Sequence, residues 1–176
     1  LKLVSDGSGN EWGFKVSRIS SGTASGTVAG NVTTGGNAAD PVTIVFKQNG
    51  NTVKTATVSG GSYRVSGLTD GSYTLEASKP GCVPRSYTVT VKDGEVVNSP
   101  NVVLVATGNV NGVSVSGEDV EITDVACLYR YLTANDRSQS SISDEAYFLA
   151  VADVNSDGAV DVYDLQLLYE TVSGIV

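Results

Sequence analysis

Between Asp153 and Asp164 the chain reads DVNSDGAVDVYD. Side-chain oxygens stand at the first, third and fifth places, on Asp153, Asn155 and Asp157. Gly158 holds the sixth place, where a tight loop must turn sharply. Ala159, at the seventh, can offer only its backbone carbonyl. Asp161 fills the ninth place and Asp164 the twelfth. Every donor in this set is a hard oxygen. Such an alternation suits a spherical dication that takes six to eight oxygens at about 2.4 Å in flexible geometry, which is calcium. The ninth ligand often acts through water, and the twelfth falls in the first turn of the helix that follows. The usual twelfth residue is Glu. Asp164 is one methylene shorter, so its helix must come closer to the ion. An acidic turn that merely caps a helix does not require five acids and amides at ligand spacing.

A second, degraded copy lies upstream. Asn109 and Asn111 match places one and three, and Glu121 and Asp124 match places nine and twelve, but 16 residues run from Asn109 to Asp124 where a standard loop has 12. Four residues are therefore inserted. Gly117 can replace the turn glycine, which makes Ser116 the fifth ligand; alternatively Asp119 folds back to the ion. Two calcium sites are expected, the first with a neutral Asn at its opening position. The copies extend beyond the loops. NVNGVSVSGEDVEITDVACLYRYL (109–132) and DVNSDGAVDVYDLQLLYETV (153–172) each run from a loop into an apolar helical stretch with a Leu-Tyr pair. Leu128, Leu132, Leu165 and Leu168 are expected in the core. Between the copies, Thr133–Ile142 is polar loop sequence. Ser143 is expected to cap a short helix over Asp144–Val151, whose early acids favour the helix N-terminus.

What precedes Ala106 has a different character, with short alternating runs separated by turn residues. Strands are expected at Gly26–Thr33, Val42–Gln48, Val53–Val58, Ser62–Val65, Ser72–Ser78, Ser86–Lys92 and Val102–Val105. Asn49-Gly50 between two of them is a hairpin signal. Pro41, Pro80 and Pro84 sit at strand ends, where a missing N–H is tolerated. About seven short strands at regular spacing give an antiparallel sandwich. Residues 1–22 form either a hairpin or an extension of the sheet, and Ser5–Asn10 reads as a plain turn.

Composition limits the function. The chain has 176 residues, enough for one or two domains. At −8 and pI near 4.4, its surface disfavours nucleic acid and anionic membranes. No apolar run approaches the roughly 18 residues of a membrane span. With no His in the chain, neither a Ser-His nor a Cys-His nucleophile can be built. The clustered carboxylates have metal spacing, so no enzymatic activity is expected. Cys82 and Cys127 fall in different modules and read as free, partly buried thiols. The chain starts at Leu1 without a leader and reads as a piece of a longer, secreted protein.

GNVNG (108–112), ITDVACLYRYL (122–132) and DVNSDGAVDVYDLQLLYE (153–170) resemble a dockerin, the module that plugs cellulosome components into cohesins. GTVAGNV, YRVSGLTDGSYTLEASKPG and SYTVTVKDGE resemble Ig-like modules related to carboxypeptidase-regulatory and collagen-adhesin B domains. The order resembles an X-module–dockerin dyad, and the inserted loop suggests a divergent class such as the ruminococcal type. The resemblance implies an all-β Ig-like sandwich over 1–106, then an all-α dockerin over 107–176 with two calcium-loop–helix repeats. It also implies a calcium-dependent, non-catalytic docking function. The partner would be a cohesin of a scaffoldin or cell-surface anchoring protein, in an extracellular cellulosome or at a bacterial cell surface. The residues facing the cohesin would be Ile122, Thr123, Tyr129 and Arg130 in the first repeat and Val162, Tyr163, Tyr169 and Glu170 in the second. The other reading is a carbohydrate-binding or adhesive sandwich with a calcium-stabilised tail, using Trp12, Tyr63, Tyr73 and Tyr87 as sugar platforms.

Overall fold

The computed structural model describes residues 25–59, 61–114 and 119–175. The expected N-terminal hairpin, the Ser5–Asn10 turn, Trp12, Ser116 and Gly117 lie outside them.

Eight strands come first among the described residues: β1 (Ser25–Thr34), β2 (Val42–Gln48), β3 (Asn51–Val58), β4 (Ser62–Thr69), β5 (Gly71–Ser78), β6 (Arg85–Val91), β7 (Val96–Asn98) and β8 (Val102–Leu104). One sheet has the order β3-β2-β5-β6 and is antiparallel throughout. In the other, β4 pairs antiparallel with β1, while β7 and β8 run parallel to β1 along its opposite side. Asn49 and Gly50 both take positive φ, 51° and 80°, and join β2 to β3 by the two-residue turn that matches strand twist. β4 runs four residues beyond its expected end at Val65. Its pairing with β1 skips one residue at Gly67, so a bulge carries the strand past the glycine. β7 was not expected.

The alternation of the strands fills the space between the sheets. Val28, Ile44, Phe46, Leu68, Tyr73, Leu75, Val91, Val102 and Leu104 are essentially inaccessible and form one core. Phe46 and Tyr73 meet edge to face, with centroids 6.4 Å apart. Tyr63 and Tyr73 are buried and Tyr87 is half-buried, its Oη accepting the Val103 N–H at 3.1 Å. These three tyrosines are therefore not the exposed sugar platforms considered above. The alternation that marks them as strand residues turns their rings inward.

Three helices follow: α1 (Ile122–Ala134), α2 (Glu145–Ala152) and α3 (Val162–Ser173). α1 packs on α3. Cys127, Leu128, Phe148, Val151 and Leu168 make a second core, with Leu132 and Leu165 packed at its margin. Leu128 and Leu168, the matched leucines of the two copies, are both buried there. Asp144, not Ser143, caps α2. Its Oδ1 accepts the Tyr147 N–H at 3.1 Å, and its Oδ2 is held by Arg85 at 3.2 Å, a partner across the junction that a cap judged locally cannot reveal. Cys82 lies in the first core and Cys127 in the second; both are free and buried.

The two cores meet through specific bonds. Val83 and Val105, from the strand part, pack into the helical core. The Tyr147 hydroxyl donates to the Val83 carbonyl at 3.0 Å and accepts the Val105 N–H at 2.9 Å. The Arg85 guanidinium lies 4.4 Å from the Tyr147 ring centroid. Tyr147→Phe keeps the ring and strands both backbone groups. It should cost about 1–3 kcal/mol, seen as a lower melting temperature of the helical part; an unchanged melt would mean the junction adds no stability.

Candidate metal centres and the exposed helix face

Five polar or charged residues are buried among those described: Lys79, Asn109, Asn111, Asp124 and Asp164. Four of these are expected calcium ligands. Burial of carboxylates and amides is costly unless they are bonded, so their partners define the site.

The two copies have the same bonding pattern. Asp124 Oδ1 accepts the Asn111 N–H at 2.8 Å and its Oδ2 the Glu121 N–H at 2.8 Å. Asp164 Oδ1 accepts the Asn155 N–H at 3.2 Å and also that of Val154 at 2.8 Å; its Oδ2 takes the Asp161 N–H at 2.9 Å. The last carboxylate of each loop thus ties the third residue to the ninth at the start of its helix. Asn111 and Glu121 are ten positions apart where Asn155 and Asp161 are six apart, which places the four-residue insertion between them. Burial raises the Asp124 carboxyl above the ordinary range, while the N–H bonds from Asn111 and Glu121 pull it back.

In the intact loop, Asp153 accepts the N–H groups of Asp157 and Gly158, at 3.1 and 3.0 Å. Asn155 Oδ1 accepts from Asp157 N, and Asp157 Oδ1 from Ala159 N, both at 2.9 Å. Gly158 has φ +89°, a conformation that side chains rarely adopt. Asp161 caps α3 by accepting the Tyr163 N–H at 2.8 Å. Among the described residues, no group of three or more His, Cys, Asp or Glu could hold a metal on its own; the expected ligand sets also include Asn side chains and a backbone carbonyl. A carboxylate has about four lone-pair sites, so one accepting two amides, or three as Asp164 does, keeps a site for a cation. In the inserted loop the Asn109 side-chain oxygen is buried with no hydrogen-bond partner, a cost that a cation would remove. By donor chemistry, and by this orphaned oxygen, the residues fit calcium.

Asp119 is directed elsewhere. Its carboxylate accepts the Gly36 N–H of the strand part and the Ser114 hydroxyl. It is not brought to Asn111 and Asp124 by any of these bonds.

One support was missed. Ser140 Oγ donates to the Val110 carbonyl at 2.7 Å, and Ser141 gives both its N–H, at 2.8 Å, and its hydroxyl, at 3.0 Å, to the Asn111 carbonyl. The polar SQSS run between the copies therefore braces the inserted loop. Thr123 adds a further tie by accepting from Asn111 Nδ2 at 2.9 Å.

On the helices, Ile122 and Val162 are 58% and 63% exposed, Tyr129 and Tyr169 56% and 51%, and Tyr163 66%. Each copy thus shows an apolar residue at its helix start and a tyrosine seven positions on, on one face. Thr123 and Arg130 are exposed and Glu170 is half-buried. Arg130 bonds Asp136 with two nitrogens, which holds that carboxyl down to about 2.

Asp164→Ala should weaken calcium binding more than Asn109→Ala. The first removes a buried carboxylate and strands three N–H groups, at about 1.5–3 kcal/mol for each bond to a charged acceptor; the second removes a neutral oxygen. Titration calorimetry showing equal losses would reverse this ranking.

Residues 24–105 match the model of the carboxypeptidase regulatory-like domain, and residues 116–173 that of the dockerin type I domain. Both are non-catalytic modules, and dockerin type I domains bind calcium. No curated protein matches the chain. Among solved structures, an N-terminal interface mutant of a type II cohesin–X-dockerin complex from Acetivibrio cellulolyticus is 19% identical, covering 86% of this chain and 99% of that one, at a TM-score of 0.37. The C-terminal interface mutant of the same complex gives 20%, 86%, 99% and 0.36. The Bacillus anthracis TIE protein is 13% identical over 48% of this chain and 17% of that one, at 0.38. These are loose likenesses. No helix among the described residues is long and apolar enough to cross a membrane.

Proposed function

We propose that the helical part, residues 107–176, is a calcium-dependent docking module that binds a cohesin, and that the sandwich, residues 1–106, braces it. The parent protein is thereby anchored outside the cell, in a cellulosome or at a cell surface. Calcium occupies two sites, one held by Asp153, Asn155, Asp157, the Ala159 carbonyl, Asp161 and Asp164, the other by Asn109, Asn111 and Asp124. The ions neutralise the gathered carboxylates and fix the start of each helix.

The observation that carries this reading is the pairing of exposed apolar side chains with buried loop carboxylates in both copies. Ile122 and Tyr129, and likewise Val162 and Tyr169, stand on helices whose first turns are held by Asp124 and Asp164. An exposed apolar group beside a rigid, metal-fixed frame is suited to a partner surface. The brace is supported by Tyr147, Arg85 and Asp119, each of which bonds across the junction. The test is native gel electrophoresis against a panel of cohesins, with and without chelator. A calcium-dependent shift with at least one cohesin is expected; no shift with any, under calcium, would overturn the reading.

A further inference from the structure

Strand pairing along β1 is broken at one point. β7 pairs with Thr27–Ala29 and β8 with Val32–Thr34. The three residues between those strands, Ser99, Pro100 and Asn101, leave Gly30 and Asn31 without a strand partner on that side. The gap opens into a notch of about 430 Å³, within the roughly 300–1,000 Å³ usual for small-ligand sites.

Two hydroxyls face this notch. Tyr63 is 95% buried, and its phenol oxygen has no hydrogen-bond partner; the Ser99 hydroxyl beside it is also buried without one. Burial raises the Tyr63 phenol above its ordinary pKa, and Ser99 is near enough to oppose that rise. A bond between the two would use only one of their two O–H groups, so at least one donor and several lone pairs stay unmatched. Gly30 makes the arrangement possible. It faces Tyr63 across the sheet, and a Cβ there would lie 2.8 Å from the phenol oxygen.

Around these hydroxyls stand the exposed amides of Asn31, Asn98 and Asn101, linked only by one long bond of 3.4 Å from Asn31 Nδ2 to Asn101 Oδ1. Each amide offers two donors and an acceptor. Arg64 is the one charged residue on the lining, and no carboxylate is there, although the chain carries a net charge of −8. A ligand matched to paired donors and acceptors, without positive charge, is a chain of vicinal hydroxyls. We propose that this notch between β7 and β8 is a saccharide-binding site on the sandwich, independent of the docking face. It reads its ligand through hydrogen bonds from Tyr63, Ser99 and the three amides, not by stacking on an exposed ring.

The test is an NMR titration of the calcium-loaded full chain with soluble β-1,4-glucan and β-1,4-xylan oligomers and a galacturonan oligomer. At least one should shift the amide signals of Gly30, Asn31 and residues 98–101. Tyr63→Phe, which removes only the hydroxyl, should weaken binding about tenfold or more. The double variant Asn31→Ala with Asn101→Ala should do the same, and because both residues are exposed it serves if Tyr63→Phe disturbs the fold. A preference for galacturonan that Arg64→Gln abolishes supports the site with Arg64 as a contact; a preference for a neutral oligomer supports it with Arg64 as a bystander. No binding at millimolar oligomer, shifts confined to another surface, or equal affinity in the double variant would overturn the proposal.

Discussion

In excess chelator, residues 107–176 should lose most of their helical signal while the sandwich stays folded. The two cores explain the difference. Among its described residues the sandwich core has eighteen buried side chains, a core large enough to be expected to hold without an ion. The helical core has ten among the described residues, four of them on the eight-residue α2, and small units of this size are marginal without a metal or disulfide. The chain's two free cysteines cannot help, since Cys82 and Cys127 lie in different cores. Asp124 and Asp164 are wholly buried, and without a cation their charges are offset only by N–H groups. Ion binding thus becomes folding free energy. At calcium a thousandfold above Kd the gain is about 4 kcal/mol, and a unit of this size shifts by roughly 4–8 °C per kcal/mol. Chelation should therefore lower the helical melt by on the order of 20 °C, followed by far-UV circular dichroism. Identical helical signal and melting temperature with and without chelator would reject the calcium reading.

How much of this was legible depends on the range of the interactions involved. The intact loop is readable because its ligands, its turn glycine and its helix cap all lie within twelve residues. The same holds for β2 and β3, where the alternation and Asn49-Gly50 are local signals. The misses are all nonlocal. The parallel pairing of β7 and β8 with β1 depends on register between distant segments. β7 itself is three residues long and followed closely by Pro100, too short to show a period. The Ser143 assignment failed by one position because Arg85, 59 residues away, holds the neighbouring carboxylate in place. Asp119, read as a possible ligand from its place in the loop, is held by Gly36, 83 residues upstream. The serines at 140 and 141 gave no periodic signal, and their role became visible only once the chain returned to Val110 and Asn111.

Binding to the cohesin should use one orientation, with the first repeat slightly favoured as the main contact. Two matched repeats could in principle present either helix to the same partner after a half turn. The apolar pairs do match, Ile122 with Val162 and Tyr129 with Tyr169. Their neighbours do not. Thr123 corresponds to Tyr163, a difference of a whole aromatic ring. Arg130 corresponds to Glu170, and an interface complementary to one sign repels the other. The surroundings differ as well. Arg130 is exposed and steadied by Asp136, just past the end of α1. Glu170 is half-buried and accepts from Gln166 at 2.8 Å, within its own helix. The four residues inserted before α1 have no counterpart in the second repeat. Two paired substitutions separate the possibilities: Thr123→Ala with Arg130→Ala, and Tyr163→Ala with Glu170→Ala. Loss of one central contact set of this kind costs about 2 kcal/mol or more, roughly a thirtyfold weaker Kd. A single mode requires at least one pair alone to produce that loss, measured by calorimetry against the cognate cohesin. If each pair alone is silent and only their combination abolishes binding, the two faces are interchangeable and the chain docks both ways.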